Sequence, residues 1–282
     1  SMAAFTNTAT LTYNNKTKNS NVVTGELLEV LTATKSVIGG TYRENDMLTY
    51  VVTLVNSGTT ATAGLTVTDN LGEYTFGTGT LVPLTYVDGS IKYYENGVLK
   101  TAPTVTPGPP LTISGITVPA GGNAVLIYQA RVNEYAPTTN ESVITNTATV
   151  TGGIQTITAT ATATARTETD LAITKTLCPQ TIIEDGRVTY TFIIQNSGNL
   201  AAVAADNISV SDTFDPVLSD LEVTLDGMAL ASPADYTYNE TTGEFATVPG
   251  RITVPAATRT QKADGTYVVT PGNAVLVITG TI

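Results

Sequence analysis

Four stretches from the first half of this chain return, in the same order, in the second half. "LTATKSV" at 31–37 pairs with "LAITKTL" at 171–177, and "LTYVVTLVNSG" at 48–58 pairs with "VTYTFIIQNSG" at 188–198, both at an offset of 140 residues. "LTVTDNL" at 65–71 matches "ISVSDTF" at 208–214 after a three-residue insertion. "GNAVLIYQARV" at 122–132 matches "GNAVLVITGTI" at 272–282 at an offset of 150. Each copy is long enough to enclose its own core, so the repeat predicts two homologous domains in tandem.

The copies are cut at different places. After Val132 the first continues into "SVITNTATVTGGIQTITATATA", which reads as two more strands, whereas the second stops at Ile282, the counterpart of Val132. "FTNTATLTY" at 5–13 stands before either copy and repeats "ITNTATVTG" at 144–152. "SNVVTGELL" at 20–28 is its candidate return strand. The expected division is 1–27 as an N-terminal strand pair, 28–165 as domain 1, and 166–282 as domain 2 without its last strands. The linker is expected between Arg166 and Asp170.

Runs such as "LTYVVTLVN" and "VTYTFIIQN" are β-branched and aromatic and are bounded by Asn-Ser-Gly, the pattern of strand followed by turn. Asn96-Gly97 and Asp226-Gly227 are hairpin signals. No helical periodicity extends beyond about two turns. The expected class is all-β, with each domain a Greek-key sandwich.

The net charge of −11 argues against nucleic acid and anionic membranes as partners. The chain has no His and a single Cys, Cys178, so no intrachain disulfide is expected, nor a zinc site or a common nucleophile–base pair. Cys178 is expected to be small and partly buried. No apolar run approaches the ~18 residues of a membrane span, and the N-terminus lacks the features of a secretory signal. Ser1 before Met2 reads as a cloning remnant.

Strand residues at i, i+2 and i+4 share a face. Leu31, Ala33, Lys35 and Val37 point one way, as do Leu171, Ile173, Lys175 and Leu177, which puts a lysine on each apolar face. Leu65, Val67, Asp69 and Leu71 align, as do Ile208, Val210, Asp212 and Phe214, which adds an aspartate to each. Ile144, Asn146, Ala148 and Val150 share a face, and so do Phe5, Asn7, Ala9, Leu11 and Tyr13. Charges aimed into a core are costly unless they are paired or neutralised. One explanation is a buried Lys–Asp salt bridge with an Asn hydrogen bond. The other is an isopeptide bond between the lysine amine and the asparagine carboxamide. Burial favours a neutral, nucleophilic amine and a protonated carboxyl that polarises the amide, and ammonia leaves. No metal or cofactor is needed.

With these residues in place, the chain resembles a known family. "TKS", "DMLTYVVTLVNSG", "LTVTD" and "ITNTATV" look like the repeat family called domain of unknown function eleven, immunoglobulin-like modules of bacterial and archaeal surface proteins. The resemblance covers nearly the whole chain, twice, and implies two tandem immunoglobulin-like Greek-key β-sandwiches. The family is similar to the collagen-adhesin type of isopeptide domain, in which a Lys on an early strand joins an Asn on the last strand beside a catalytic Asp. On that basis Lys35, Asp69 and Asn146 carry over in domain 1, and Lys175 and Asp212 in domain 2. Domain 2 departs from the pattern because its own Asn is absent, and Asn7 of a neighbouring subunit is the candidate replacement. The size and two-module layout are also similar to major proteins of clostridial spore appendages, which implies a spore surface reached without a signal peptide.

The expected function is a structural cell- or spore-surface subunit that assembles head to tail by adding its N-terminal strand to domain 2 of the next copy. Its partners would be itself and other surface or appendage proteins. Its only chemistry would be single-turnover cross-linking, not enzyme turnover. The alternative is an adhesin or stalk module of a longer surface protein, with loops 72–83, 101–110 and 256–271 touching a ligand. Asp46, Asp88, Glu95 and Glu134 form no recognisable catalytic pair.

Overall fold

Period-two burial builds the long strands of the two units. In Met47–Asn56, Leu48, Tyr50, Val52 and Leu54 are buried while the residues between them are less so. The same alternation buries Ala124, Leu126, Tyr128, Ala130 and Val132 in Asn123–Val132. The computed structural model describes residues 2–28 and 30–282. Its one described helical element is a 3-10 turn at Ala204–Asp206. The chain is all-β and divides into two units. Unit 1 runs to Pro137 and includes Val143–Thr164; unit 2 comprises Thr138–Ser142 and Ala165–Ile282.

In unit 1 one sheet has the order Val98–Lys100, Lys92–Glu95, Asn123–Val132, Met47–Asn56, Leu31–Val37. The other has Thr104–Thr106, Leu111–Val118, Thr62–Asp69, Val143–Thr151, Ile157–Ala165, Thr41–Tyr42. Thr62–Asp69 is therefore paired on both sides.

In unit 2 the first sheet keeps the pattern: Leu171–Cys178, Arg187–Asn196, Gly272–Thr281, Ser219–Leu225, Met228–Ala229. The register is also kept. Lys35 faces Val52 and Lys175 faces Phe192, a shift of 140 in both partners. The second sheet is reduced to Ser211–Thr213, Glu244–Thr247 and Tyr236–Tyr238. The Asp212 strand pairs with Glu244–Thr247 alone among the described residues. With one neighbour missing it holds three residues, against eight in its counterpart. A core of Phe192, Phe214, Phe245, Leu276 and Ile278 persists beneath.

The two Asn-Ser-Gly turns are the same device. Asn56 accepts from Gly58 N at 2.9 Å and donates to Thr60 O at 2.8 Å. Asn196 accepts from Gly198 N at 2.9 Å and donates to Leu200 O at 2.7 Å. Both asparagines are fully buried, so each side chain supplies the bonds the turning backbone lacks. Asn96-Gly97 and Asp226-Gly227 have positive φ at both residues and close two-residue hairpins.

Residues 2–28 form a hairpin of their own. Met2–Asn7 pairs with Val23–Leu28, and Thr10–Tyr13 pairs with Lys16–Asn19 around Asn14-Asn15, both at positive φ. Among the described residues its strands pair with neither sandwich. Phe5, Leu11, Tyr13, Val23 and Leu28 are all exposed. A two-stranded hairpin with its apolar face in water is marginally stable alone.

Two expectations change. Cys178 is exposed rather than partly buried, because it ends the edge strand Leu171–Cys178 on the face turned from the core. The three candidate ligand loops each contain short strands. Residues 72–83 hold Tyr74–Phe76 paired with Gly79–Leu81, 101–110 hold Thr104–Thr106, and 256–271 hold Thr258–Gln261 paired with Tyr267–Thr270.

Candidate cross-linking site

Three strands of unit 1 deliver the charged and polar side chains that parity aims inward. Lys35 Nζ lies 2.8 Å from Asp69 Oδ2, and neither side chain is exposed to solvent. Asn146 Nδ2 donates to the same oxygen at 3.5 Å, and Asn146 is fully buried. The Tyr128 hydroxyl also donates to Asp69 Oδ2 in a short hydrogen bond. Asp69 Oδ1 accepts from the backbone N of Leu71, itself at φ 53°, at 2.8 Å, which fixes the carboxylate. Lys35 Nζ sits 4.9 Å from the centre of the Tyr50 ring, which stacks on Tyr128 at 6.1 Å.

Three donors thus converge on one carboxylate oxygen. Asn146 Oδ1 is buried with no hydrogen bond of good geometry, beside the buried Tyr50 hydroxyl. An unsatisfied buried carbonyl costs about 1–3 kcal/mol. Burial pulls the Lys35 pKa below its ordinary 10.5, with Asp69 opposing that shift. Burial also raises the pKa of Tyr50 and of Tyr128, so both stay protonated. The arrangement allows a balanced reaction. A proton passes from Nζ to Asp69 Oδ2, the neutral amine attacks Cγ of Asn146, and Nδ2 takes up the proton that the attacking nitrogen sheds and leaves as ammonia, with Asp69 still protonated. The product is a neutral amide in place of a buried ion pair and carboxamide.

Unit 2 holds the same pair in the open. Lys175 Nζ lies 2.5 Å from Asp212 Oδ2, but the two side chains are 43% and 19% exposed. Nζ stands over Tyr190, Phe192 and Phe214, at 4.8, 5.5 and 5.6 Å from the ring centres. Tyr190 faces Ile278 where Tyr50 faces Tyr128, so the hydroxyl that reaches Asp69 has no equivalent here. Lys175 and Asp212 thus meet on the side of the sheet that carries Phe192, where among the described residues no strand like that of Asn146 lies beside the Asp212 strand. Asn7 lies in the N-terminal hairpin opposite Val23 and is exposed. The structure therefore brings together Lys35, Asp69 and Asn146, and pairs Lys175 with Asp212.

Sequence reasoning missed Tyr128. A tyrosine on an inward face reads as core, and the one available signal was the mismatch of "LIYQ" with "LVIT" between otherwise matching strands.

No protein family and no curated protein matches the chain. Among solved structures it is similar to BcpA, the major pilin subunit of Bacillus cereus, at 14% identity over 95% of this chain and 73% of that one, with a TM-score of 0.32. It is similar to the full-length major pilin SpaD from Corynebacterium diphtheriae at 13% identity over 86% of this chain and 59% of that one, with a TM-score of 0.35. It is similar to a family 123 glycoside hydrolase from Clostridium perfringens at 10% identity over 48% and 27%, with a TM-score of 0.31. The chain spans 59% of the length of SpaD and 27% of that of the hydrolase.

Proposed function

We propose that this chain is a structural subunit of a cell- or spore-surface fibre, joined head to tail by its N-terminal hairpin. The hairpin of one copy fills the open side of unit 2 in the next. A contact of this kind does not close on itself, so it propagates.

One observation carries the reading. Matched residues that the Asn146 hairpin side covers in unit 1 are more exposed in unit 2. Leu31 is 4% exposed and its counterpart Leu171 is 40% exposed. The hairpin that carries the same Thr-Asn-Thr-Ala motif pairs, among the described residues, with neither sandwich. In unit 1 Ala148 faces Asp69 and Val150 faces Val67. The same register would set Ala9 against Asp212 and Leu11 against Val210, with Asn7 beside Lys175. Burying Phe5 and Leu11 would each contribute about 1.5–3 kcal/mol. Lys175 would then join Asn7 across the contact, as Lys35 would join Asn146 within unit 1, and further surface or appendage proteins could dock by the same strand addition.

A second reading is an adhesin or stalk module whose groove is filled by further chain. The Thr258–Gln261 and Tyr267–Thr270 hairpin favours it, because this insertion relative to unit 1 exposes Val268 and Val269. Sedimentation at rising concentration separates the two. A fibre subunit grows into multimers and loses that ability when residues 2–28 are deleted. A wild-type chain that stays monomeric leaves the stalk.

A further inference from the structure

We propose that assembly is directed by charge pairing between the tip of the donor hairpin, Lys16 and Lys18, and two acidic residues at the mouth of the unit 2 groove, Asp170 and Asp206. This rests on the strand-addition reading above and names what selects the site.

The register fixes where the tip falls. In unit 1 the turn after the Asn146 strand packs its Gly153 against Leu31 and Leu65. The counterparts of those leucines in unit 2 are Leu171 and Ile208. With Ala9 against Asp212, the donor turn, Asn14-Asn15, and the lysines after it lie over Leu171 and Ile208. Lys16 is paired with Tyr13 and Lys18 with Leu11 across the hairpin, so both lysines stand on the face that carries Asn7 and enters the groove.

Two carboxylates adjoin Leu171 and Ile208 in the chain. Asp170 directly precedes Leu171, and its backbone is held by Asn196 Oδ1 at 3.0 Å and Ser197 N at 2.8 Å. Asp206 lies two residues before Ile208, and its carboxylate caps Val203 N at 2.7 Å. Both are exposed, on anchored backbone.

Unit 1 supplies the internal control. Its turn, "GGIQT" at 152–156, is uncharged. The residues that match Asp170 and Asp206 are Val30 and Ala63, also uncharged. Ser57 N bonds to Val30 O as Ser197 N bonds to Asp170 O, which secures the first equivalence. Where the hairpin belongs to its own sandwich the contact is neutral. Where it must come from another copy, cations meet carboxylates. The global charge agrees, since residues 2–28 carry Lys16 and Lys18 against Glu26, while residues 166–282 carry fourteen acidic and six basic side chains. Opposite charges at an encounter surface raise the association rate, disfavour slipped registers, and weaken with salt.

The test uses the full-length chain and the initial rate of multimer formation by light scattering, at about 20 mM and about 150 mM salt. The variants are Lys16→Gln with Lys18→Gln, Asp170→Asn with Asp206→Asn, and all four together. Asn at 206 keeps the acceptor for Val203 N. Wild type should slow about tenfold as salt rises. Each double variant should be slow and indifferent to salt, and the fourfold variant should be no slower than either. Wild-type rates and salt dependence in either double variant, or penalties that add in the fourfold variant, would overturn the pairing. A chain lacking residues 2–28 that still assembles at the wild-type rate would overturn strand addition itself, and the pairing with it.

Discussion

Lys35 Nζ and Asn146 Nδ2 share one acceptor, Asp69 Oδ2, at 2.8 and 3.5 Å, inside a site where neither Lys35 nor Asp69 meets solvent. The nucleophile, the proton acceptor and the leaving group are thus gathered before any reaction. The purified chain should therefore be lighter by one ammonia under denaturing conditions. Asp69→Ala removes the proton acceptor and should restore the full mass. A wild-type chain of full mass would leave a salt bridge and nothing more.

Tyr128 should matter to this site and have no parallel in unit 2. In an Asn146→Ala background, which cannot cross-link, Tyr128→Phe removes a hydrogen bond to a charged group and should cost about 1.5–3 kcal/mol in denaturant melts. Ile278→Val, at the matching position, only trims a methylene and should cost about 0.5–1.5 kcal/mol. Equal costs would mean that the Tyr128 hydroxyl contributes nothing.

The two lysines should behave oppositely on removal. Lys35→Ala strands a buried carboxylate and should cost about 3–5 kcal/mol even when compared with an unlinked parent. Lys175→Ala breaks a half-exposed pair and should cost under about 1 kcal/mol in the monomer. Limited proteolysis of dilute protein should cut unit 2 before unit 1, since the strand Leu171–Cys178 is exposed along nearly its whole length.

Burial lowers the Lys35 pKa beneath its ordinary 10.5. Between that lowered value and 10.5 the unfolded chain binds more protons than the folded one, so stability rises with pH across the window. An unlinked Asn146→Ala chain should show this rise on approach to pH 10.5, and Lys35→Met should abolish it. A fall in stability over the same range, removed by the same substitution, would reverse the sign of the burial effect.

The sequence carried the repeats, the strand class and the faces, because period-two parity needs no tertiary information. Lys35, Asp69 and Asn146 were legible for that reason. Burial was not. Lys35 and Lys175 have matching sequence surroundings and the same register, yet one is buried and the other is not, since cover comes from a strand more than 100 residues away or from none. Cys178 escaped for the same reason. Tyr128 escaped because its role lies in where its hydroxyl ends, across the sandwich from its own sheet.

Asn7 and Lys175 provide the most direct measurement of the central claim. Light and isotopically heavy copies of the chain are mixed, concentrated, boiled in detergent and digested. The account predicts a ladder of covalent multimers and an Asn7–Lys175 linked peptide in which light and heavy halves are mixed. Linked peptides only of uniform isotope would place the hairpin back on its own unit 2. A wild-type chain that stays monomeric, with Asn7 and Lys175 both unmodified, would contradict the fibre.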